Sequence, residues 1–240
     1  MVALVILIGA LQGASQEPPL KLTQYSHTAW RNQEGIFNGT VLSVAQTQDG
    51  YLWVGTTAGL LRFDGIRFSE WQGPGTSAAT PLRIQSLLGT TDGSLWIGTG
   101  RGLGRFKNNE FKYIPKDGIG RVNAILEDSA GDIWIARSRF TGKAGPLCRA
   151  QGEKFRCFGL SDGFDCPYGE ALTEGRSGSI WMNSYPGVCR WSPHKTDTFL
   201  PEGFKQGDTS RSVAGVLENT ADTALVGFDE GGSHFGLEQL

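Results

Sequence analysis

Asp49-Gly50-Tyr51-Leu52-Trp53-Val54-Gly55-Thr56 is followed by Asp92-Gly93-Ser94-Leu95-Trp96-Ile97-Gly98-Thr99, the same phrase with few changes. It returns as Ala130-Gly131-Asp132-Ile133-Trp134-Ile135-Ala136-Arg137 and as Ser177-Gly178-Ser179-Ile180-Trp181-Met182-Asn183-Ser184. A worn fifth copy, Ala221-Asp222-Thr223-Ala224-Leu225-Val226-Gly227, lacks the tryptophan. Successive copies lie 43, 38, 47 and 44 residues apart. A period of roughly 40–50 residues built from short strands and turns marks a β-propeller with one blade per repeat. Such modules cannot bury their apolar faces alone, so fold and function belong to the array.

Outward from the phrase, each repeat predicts four strands. In the first, Val41 to Ala45 is innermost, Asp49-Gly50 is hairpin chemistry, and Tyr51 to Val54 is the second strand. Leu60 to Phe63 and, after Asp64-Gly65, Phe68 to Trp71 complete it. The expected fold is all-β, an incomplete propeller of four-stranded antiparallel blades near residues 40–72, 82–115, 121–159 and 168–200. A partial fifth blade spans 211–240 and stops without clear third and fourth strands, and the propeller as a whole occupies residues 21–240.

The second-strand tryptophans, Trp53, Trp96, Trp134 and Trp181, read as packing between neighbouring sheets, each worth ~3–5 kcal/mol if truncated to Ala. The third-strand arginines, Arg62, Arg105, Arg149 and Arg190, are expected to pair with acidic turn residues. Tyr25-Ser26-His27-Thr28-Ala29-Trp30 ends like the outer strand Phe68-Ser69-Glu70-Trp71. It is therefore expected to complete the last blade and remove an exposed edge.

Glycine, at 35 of 240 residues, is about twice its usual ~7% share, which fits many tight turns. The formal charge of −2 is spread without a basic stripe, so nucleic acid is not an expected partner. Residues 1–20 resemble a secretory signal: Val2 to Leu11 is apolar and small residues follow, although no Lys or Arg precedes Lys21. A periplasmic or extracellular location follows, and four cysteines fit it. Three pairings are open to them. If Phe63 and Phe68, Phe106 and Phe111, and Ala150 and Phe155 face one another across their turns, Cys148 lies opposite Cys157. Cys166 and Cys189 would form the second bridge, while the alternative is four small buried thiols. None of the four has the C-x-x-C spacing of a zinc site, so no metal is expected.

The phrase Asp-Gly-x-Leu-Trp-x-Gly-Thr, with Gly-Leu-x-Arg-Phe after it, resembles the two-component regulator propeller repeat. Thr28-Ala29-Trp30 with Gly35, then Val44-Ala45-Gln46-Thr47, is similar to the start of those sensor domains. The resemblance covers about Leu22 to Phe228. It implies an extracytoplasmic sensor that binds a small ligand, an oligosaccharide or other nutrient, at the loop-bearing mouth. It also implies a parent protein supplying further blades, a β-sandwich, a membrane helix and a kinase or other output, with homodimerisation through that parent.

Rival readings are a lectin-like or scaffold propeller that completes itself by oligomerising, and a propeller glycosidase or lyase. Glu127, Asp128, Glu170 and Glu174 are the acid–base candidates by proximity alone. His27, His194 and His234 are not spaced for metal, and Ser43 and Ser86 lack a nucleophile elbow. No catalytic constellation and no cofactor motif emerges, and no ligand-binding residue is assigned. Tyr168, Tyr185 and Trp191 are loop aromatics that could contribute, Trp191 matching the core position of Phe63.

Overall fold

The computed structural model describes residues 29–30, 38–72, 82–114, 119–138, 145–151, 154–185, 187–193, 195–203, 205, 212–220, 223–229 and 235–239. The signal-like segment, the three histidines and all of the expected closing strand except Ala29 and Trp30 lie outside them.

Five antiparallel sheets follow one another along the chain, each a simple meander. The first holds β1 (Val41–Gln46), β2 (Leu52–Thr56), β3 (Leu60–Phe63) and β4 (Phe68–Trp71). The second holds β5 (Ile84–Gly89), β6 (Leu95–Thr99), β7 (Gly102–Lys107) and β8 (Glu110–Tyr113). The third holds β9 (Arg121–Glu127), β10 (Ile133–Ser138), β11 (Leu147–Gln151) and β12 (Lys154–Phe158). The fourth holds β13 (Leu172–Glu174), β14 (Ile180–Asn183), β15 (Val188–Trp191) and β16 (Thr196–Phe199). The fifth holds β17 (Ser212–Thr220), β18 (Thr223–Asp229) and β19 (Phe235–Gln239).

That last strand corrects the expectation that the fifth repeat ends without a third strand. Gly227 pairs with Leu237 and Phe228 with Gly236, so β19 stands where β3 and β7 stand in their blades. Its polar ending, Glu238-Gln239, and the lost tryptophan hide the repeat pattern.

A strand of period two sends alternate side chains to opposite faces. In the second strands the tryptophan faces the next sheet and the residue after it faces the previous one. Trp53 is buried with Ile84 and Ile97, and Trp96 with Val122 and Ile135. Trp134 is buried with Ile180 and Met182, and Trp181 with Val213 and Val226. The indoles are thus wedges between sheets. Close approach also needs Gly55: a Cβ there would come within 2.6 Å of Ile84 Cγ2 in the next sheet.

The two outermost faces show the same rule by leaving it unmet. Val44 is 60% exposed, whereas Leu87 and Val216, at its register position in the second and fifth sheets, are 9% and 8% exposed. Leu217 and Leu237, on the far side of the fifth sheet, are 63% and 71% exposed. At the near side Trp30 packs edge-on against Phe63 and Phe68, at 5.1 and 5.5 Å between centroids. Trp71 meets Phe106 and Phe111 in the second sheet in the same manner, at 5.7 and 5.3 Å. Trp30 therefore stands toward the first sheet as the end of an outer strand stands toward the next one.

Cys148 and Cys157 are opposite partners on β11 and β12 and are joined, and Cys166 before β13 is joined to Cys189 on β15. Among the arginines, Arg105 pairs with Asp92 at 2.6 Å, Arg149 with Asp132, and Arg190 with Asp197 at 2.7 Å. Arg62 departs from the expected acidic partner: it lies over the Tyr51 ring at 4.5 Å. Each of the other three also lies over the tryptophan opposite it on the second strand.

Candidate functional site

The meander gives the stack two rims. One carries the turns between first and second strands, and we call it the turn rim. The other carries the entries to the first strands and the connections from second to third strands. Ile84 pairs with Thr99 and Arg121 with Ser138, which places strand entry and second-strand exit side by side on this loop rim.

Polar groups on the turn rim are spent on holding sheets together. Glu127, at the end of β9, accepts from the Thr91 backbone N–H at 2.9 Å and from its hydroxyl at 2.6 Å, across to the second sheet. Glu174 repeats this with Ser129, at 2.8 and 2.6 Å. Glu218 is buried and accepts from Ser177, Ser179 and the Trp181 indole, each at 3.4 Å. Asp128 accepts from Trp134 Nε1 at 2.7 Å and from the backbone N–H of Ala130 and Asp132. Three of the four acid–base candidates, Glu127, Asp128 and Glu174, are thus clasps and turn caps. The fourth, Glu170, has an exposed side chain at the loop rim beside Asn183.

Gly89 occupies the clasp position in the second sheet, and a Cβ there would collide with the carbonyl oxygen of Gln46. No carboxylate can reach across from this position, and the Gln48 amide reaches the Thr91 carbonyl instead, at 2.6 Å. An open cleft of about 430 Å³ results, lined by Gln46, Thr47, Gln48, Gly89 and Thr91. It is shallow, and the Gln48 amide on its wall serves a neighbouring turn.

Asp92 lies on this rim too. Burial alone would raise its pKa, but bonds from Thr90, Lys107 and Ser94 outweigh it and hold the carboxyl well below the usual range. Asp197 on β16 is also lowered: burial opposes, and Lys195 and Arg190 prevail.

The loop rim is different. Arg137 is fully buried where the first two sheets carry Thr56 and Thr99, and burial lowers its pKa to about 10. Its Nε donates to the Gly145 carbonyl at 2.9 Å and its Nη1 to the Ile119 carbonyl at 3.2 Å. This ties the second-strand exit to the chain entering β9. Asn123, at the bulge of β9, donates to Ser138 Oγ at 3.1 Å and to the Gly169 carbonyl at 2.7 Å, linking third and fourth sheets. Its Oδ1 is buried without a hydrogen-bond partner.

Beside these, Arg83 and Arg121 enter β5 and β9, and Gln85 stands at the bulge of β5. With its carbonyl oxygen turned toward them, Gln85 accepts from Arg83 Nε at 2.8 Å and from Arg121 Nη2 at 3.1 Å. Neither arginine takes part in any ion pair among the described residues. Sequence reasoning looked for arginines only on third strands and missed both. The signal was present as Arg83-Ile84-Gln85 and Arg121-Val122-Asn123, the same pattern at the same place in two repeats.

Tyr168 and Tyr185 lie on the loop rim, Tyr168 exposed and Tyr185 in the turn after β14. Trp191 instead packs, half-buried and tilted, against the core, 4.6 Å from Trp134 and 5.0 Å from Phe158. Among the described residues, no group of three or more His, Cys, Asp or Glu is placed to hold a metal. None of their helices is long and apolar enough to cross a membrane.

Residues 35–58, which span β1, the Asp49-Gly50 turn and β2, match the family model described as two component regulator propeller. The chain carries that propeller repeat. Similar solved structures include the extracellular domain of a hybrid two-component system from B. thetaiotaomicron, with a TM-score of 0.65 at 20% identity. The match covers 88% of this chain and 30% of that one. An extracellular domain of a one-component system from the same organism gives 0.62 at 18%, covering 84% and 28%. Virginiamycin B lyase from Staphylococcus aureus gives 0.57 at 15%, covering 83% and 69%. What is shared at these identities is the propeller fold. The chain spans less than a third of the length of these two extracellular domains. No curated protein sequence matches it.

Proposed function

We propose that this chain is an extracytoplasmic ligand-binding propeller of a two-component-type signalling protein, and that it binds its ligand without converting it. The observation that carries this reading is the match of residues 35–58 to the two component regulator propeller model, within a phrase that recurs along the chain, on a fold shared with the extracellular domain of a hybrid two-component system. Two joined cysteine pairs favour export, because disulfides persist in oxidising compartments. The ligand is a small molecule, an oligosaccharide or comparable nutrient, and it docks on the loop rim. There Asn123 also links sheets, but Arg83 and Arg121 carry charge that no carboxylate among the described residues pairs, in contrast to the carboxylates spent as clasps on the turn rim.

Further blades, a sandwich domain, a membrane helix and the output module belong to a longer parent, which homodimerises. Ligand binding shifts the parent between two states by differential affinity. The test is thermal unfolding of the purified chain across a panel of mono- and oligosaccharides, with mass analysis of each sugar afterwards. Binding stabilises by RT ln(1 + [L]/Kd), about 2.7 kcal/mol at a hundredfold excess over Kd. A saturable rise in Tm with intact sugar supports the reading, and a cleaved or eliminated sugar overturns it. Export is tested by fusion to a phosphatase that folds only outside the cytoplasm.

One observation favours a second reading. The exposed Val44, Leu217 and Leu237 leave apolar faces at both ends of the stack, which suits a scaffold propeller completed by oligomerisation. Light scattering separates the two: a discrete closed oligomer supports the scaffold, and a monomer supports the parent-protein reading.

A further inference from the structure

We infer that Arg83, Arg121 and Gln85 form a seat for an oxyanion: a carboxylate, sulfate or phosphate carried by the ligand. The seat lies on the loop rim between the second and third sheets. The inference rests on the ligand-binding reading for its purpose, while the seat itself stands on local geometry.

Two guanidiniums converge on one amide oxygen, at 2.8 and 3.1 Å. Like charges brought this close repel, and a neutral amide oxygen neutralises neither. Each guanidinium has five N–H donors in a planar fork, and the Gln85 oxygen occupies one on each. No carboxylate among the described residues pairs with either, although every described third-strand arginine except Arg62 has an aspartate. The residue type matters. Arginine's fork matches the two oxygens of a carboxylate or the edge of a sulfate or phosphate, and such charge-assisted pairs exceed neutral hydrogen bonds in strength.

The seat is also held in place. Arg121 pairs in register with Ser138, Arg137 anchors the Ile119 carbonyl two residues before it, and Asn123 bonds Ser138 and Gly169 two residues after it. Arg83 precedes Ile84, a residue wedged against Trp53 in the sheet before. The cations are thus mounted on strand ends with buried supports, which fixes their spacing before a ligand arrives. Arg101, in the turn between β6 and β7, is not among the partners of the Gln85 oxygen and serves as the control cation.

The test is titration of the purified chain with sodium sulfate, sodium phosphate and sodium acetate at constant ionic strength, read by thermal shift and by isothermal calorimetry. Constant ionic strength matters because exposed charges are screened within about 8–10 Å at physiological salt. At least one of the three anions should raise Tm saturably. Its apparent Kd should weaken at least tenfold in Arg83→Ala and in Arg83→Ala/Arg121→Ala, and stay within twofold in Arg101→Ala. The ranking of the anions tells which oxyanion the ligand carries. Should the double variant fail to fold, the single change at exposed Arg83 still decides. Saturable binding that survives Arg83→Ala overturns the seat, and so does the absence of saturable binding for all three anions. Neither result touches the broader reading, which is decided separately by the sugar panel, the export fusion and the oligomeric state.

Discussion

The two rims are made from the same repeat and have opposite chemistry. On the turn rim Glu127 and Glu174 each accept two bonds from the preceding blade, and the tryptophan indoles end on Thr47, Asp128 and Glu218. On the loop rim Arg83 and Arg121 share one amide oxygen and no carboxylate. The difference lies in the charge: one edge spends its carboxylates on closing the stack, and the other, although Asn123 and Gln85 also reach between sheets, keeps arginine charge without a carboxylate. Loops on a rigid scaffold commonly carry function in this way.

The comparison can be broken from the turn rim. Trp134→Ala removes a wedge buried between the third and fourth sheets and its bond to Asp128, and should cost about 3–5 kcal/mol in denaturant unfolding. A loss below about 1 kcal/mol would mean that the indoles are not the wedges. Glu174→Ala removes both bonds to Ser129 and should cost about 1–2 kcal/mol. Double-mutant analysis with Ser129→Ala should show coupling between the two residues.

Asp92→Asn sharpens the electrostatic side. Its carboxyl is half exposed, so the loss at neutral pH should stay under about 1 kcal/mol. The folded pKa lies below the unfolded one, so this contribution is complete above the ordinary carboxylate value of about 3.9. It fades as pH falls toward the lowered folded value. The Tm gap between native chain and variant should therefore narrow steadily below about pH 4. The smallest effect belongs to the loop rim: without added anion, Arg83→Ala should change stability by less than about 0.5 kcal/mol. A larger loss would show that the arginine holds the fold, as the turn-rim residues do.

Much of this was legible in the chain. The strand order, the tryptophan wedges and the opposition of Cys148 and Cys157 follow from period-two alternation and from turn positions, which are local properties. The third strand of the fifth blade was not legible, because Phe235-Gly236-Leu237-Glu238-Gln239 carries neither the arginine nor the following turn that mark the others. The roles of Glu127 and Glu174 were hidden as well. Their partners, Thr91 and Ser129, belong to the preceding repeat, and a strand-end glutamate looks the same whether it clasps a neighbour or faces water.

By itself the sequence determined that this is a stack of small β-sheets, because a tryptophan and a glycine turn recurring at a blade's length admit little else. Only the tertiary structure decided which polar groups are consumed and which remain available. That outcome depends on distances between adjacent sheets, where Gly89 forbids a clasp and Arg83 meets Arg121. Such distances arise when apolar faces are pressed together, and neither repeat specifies them alone.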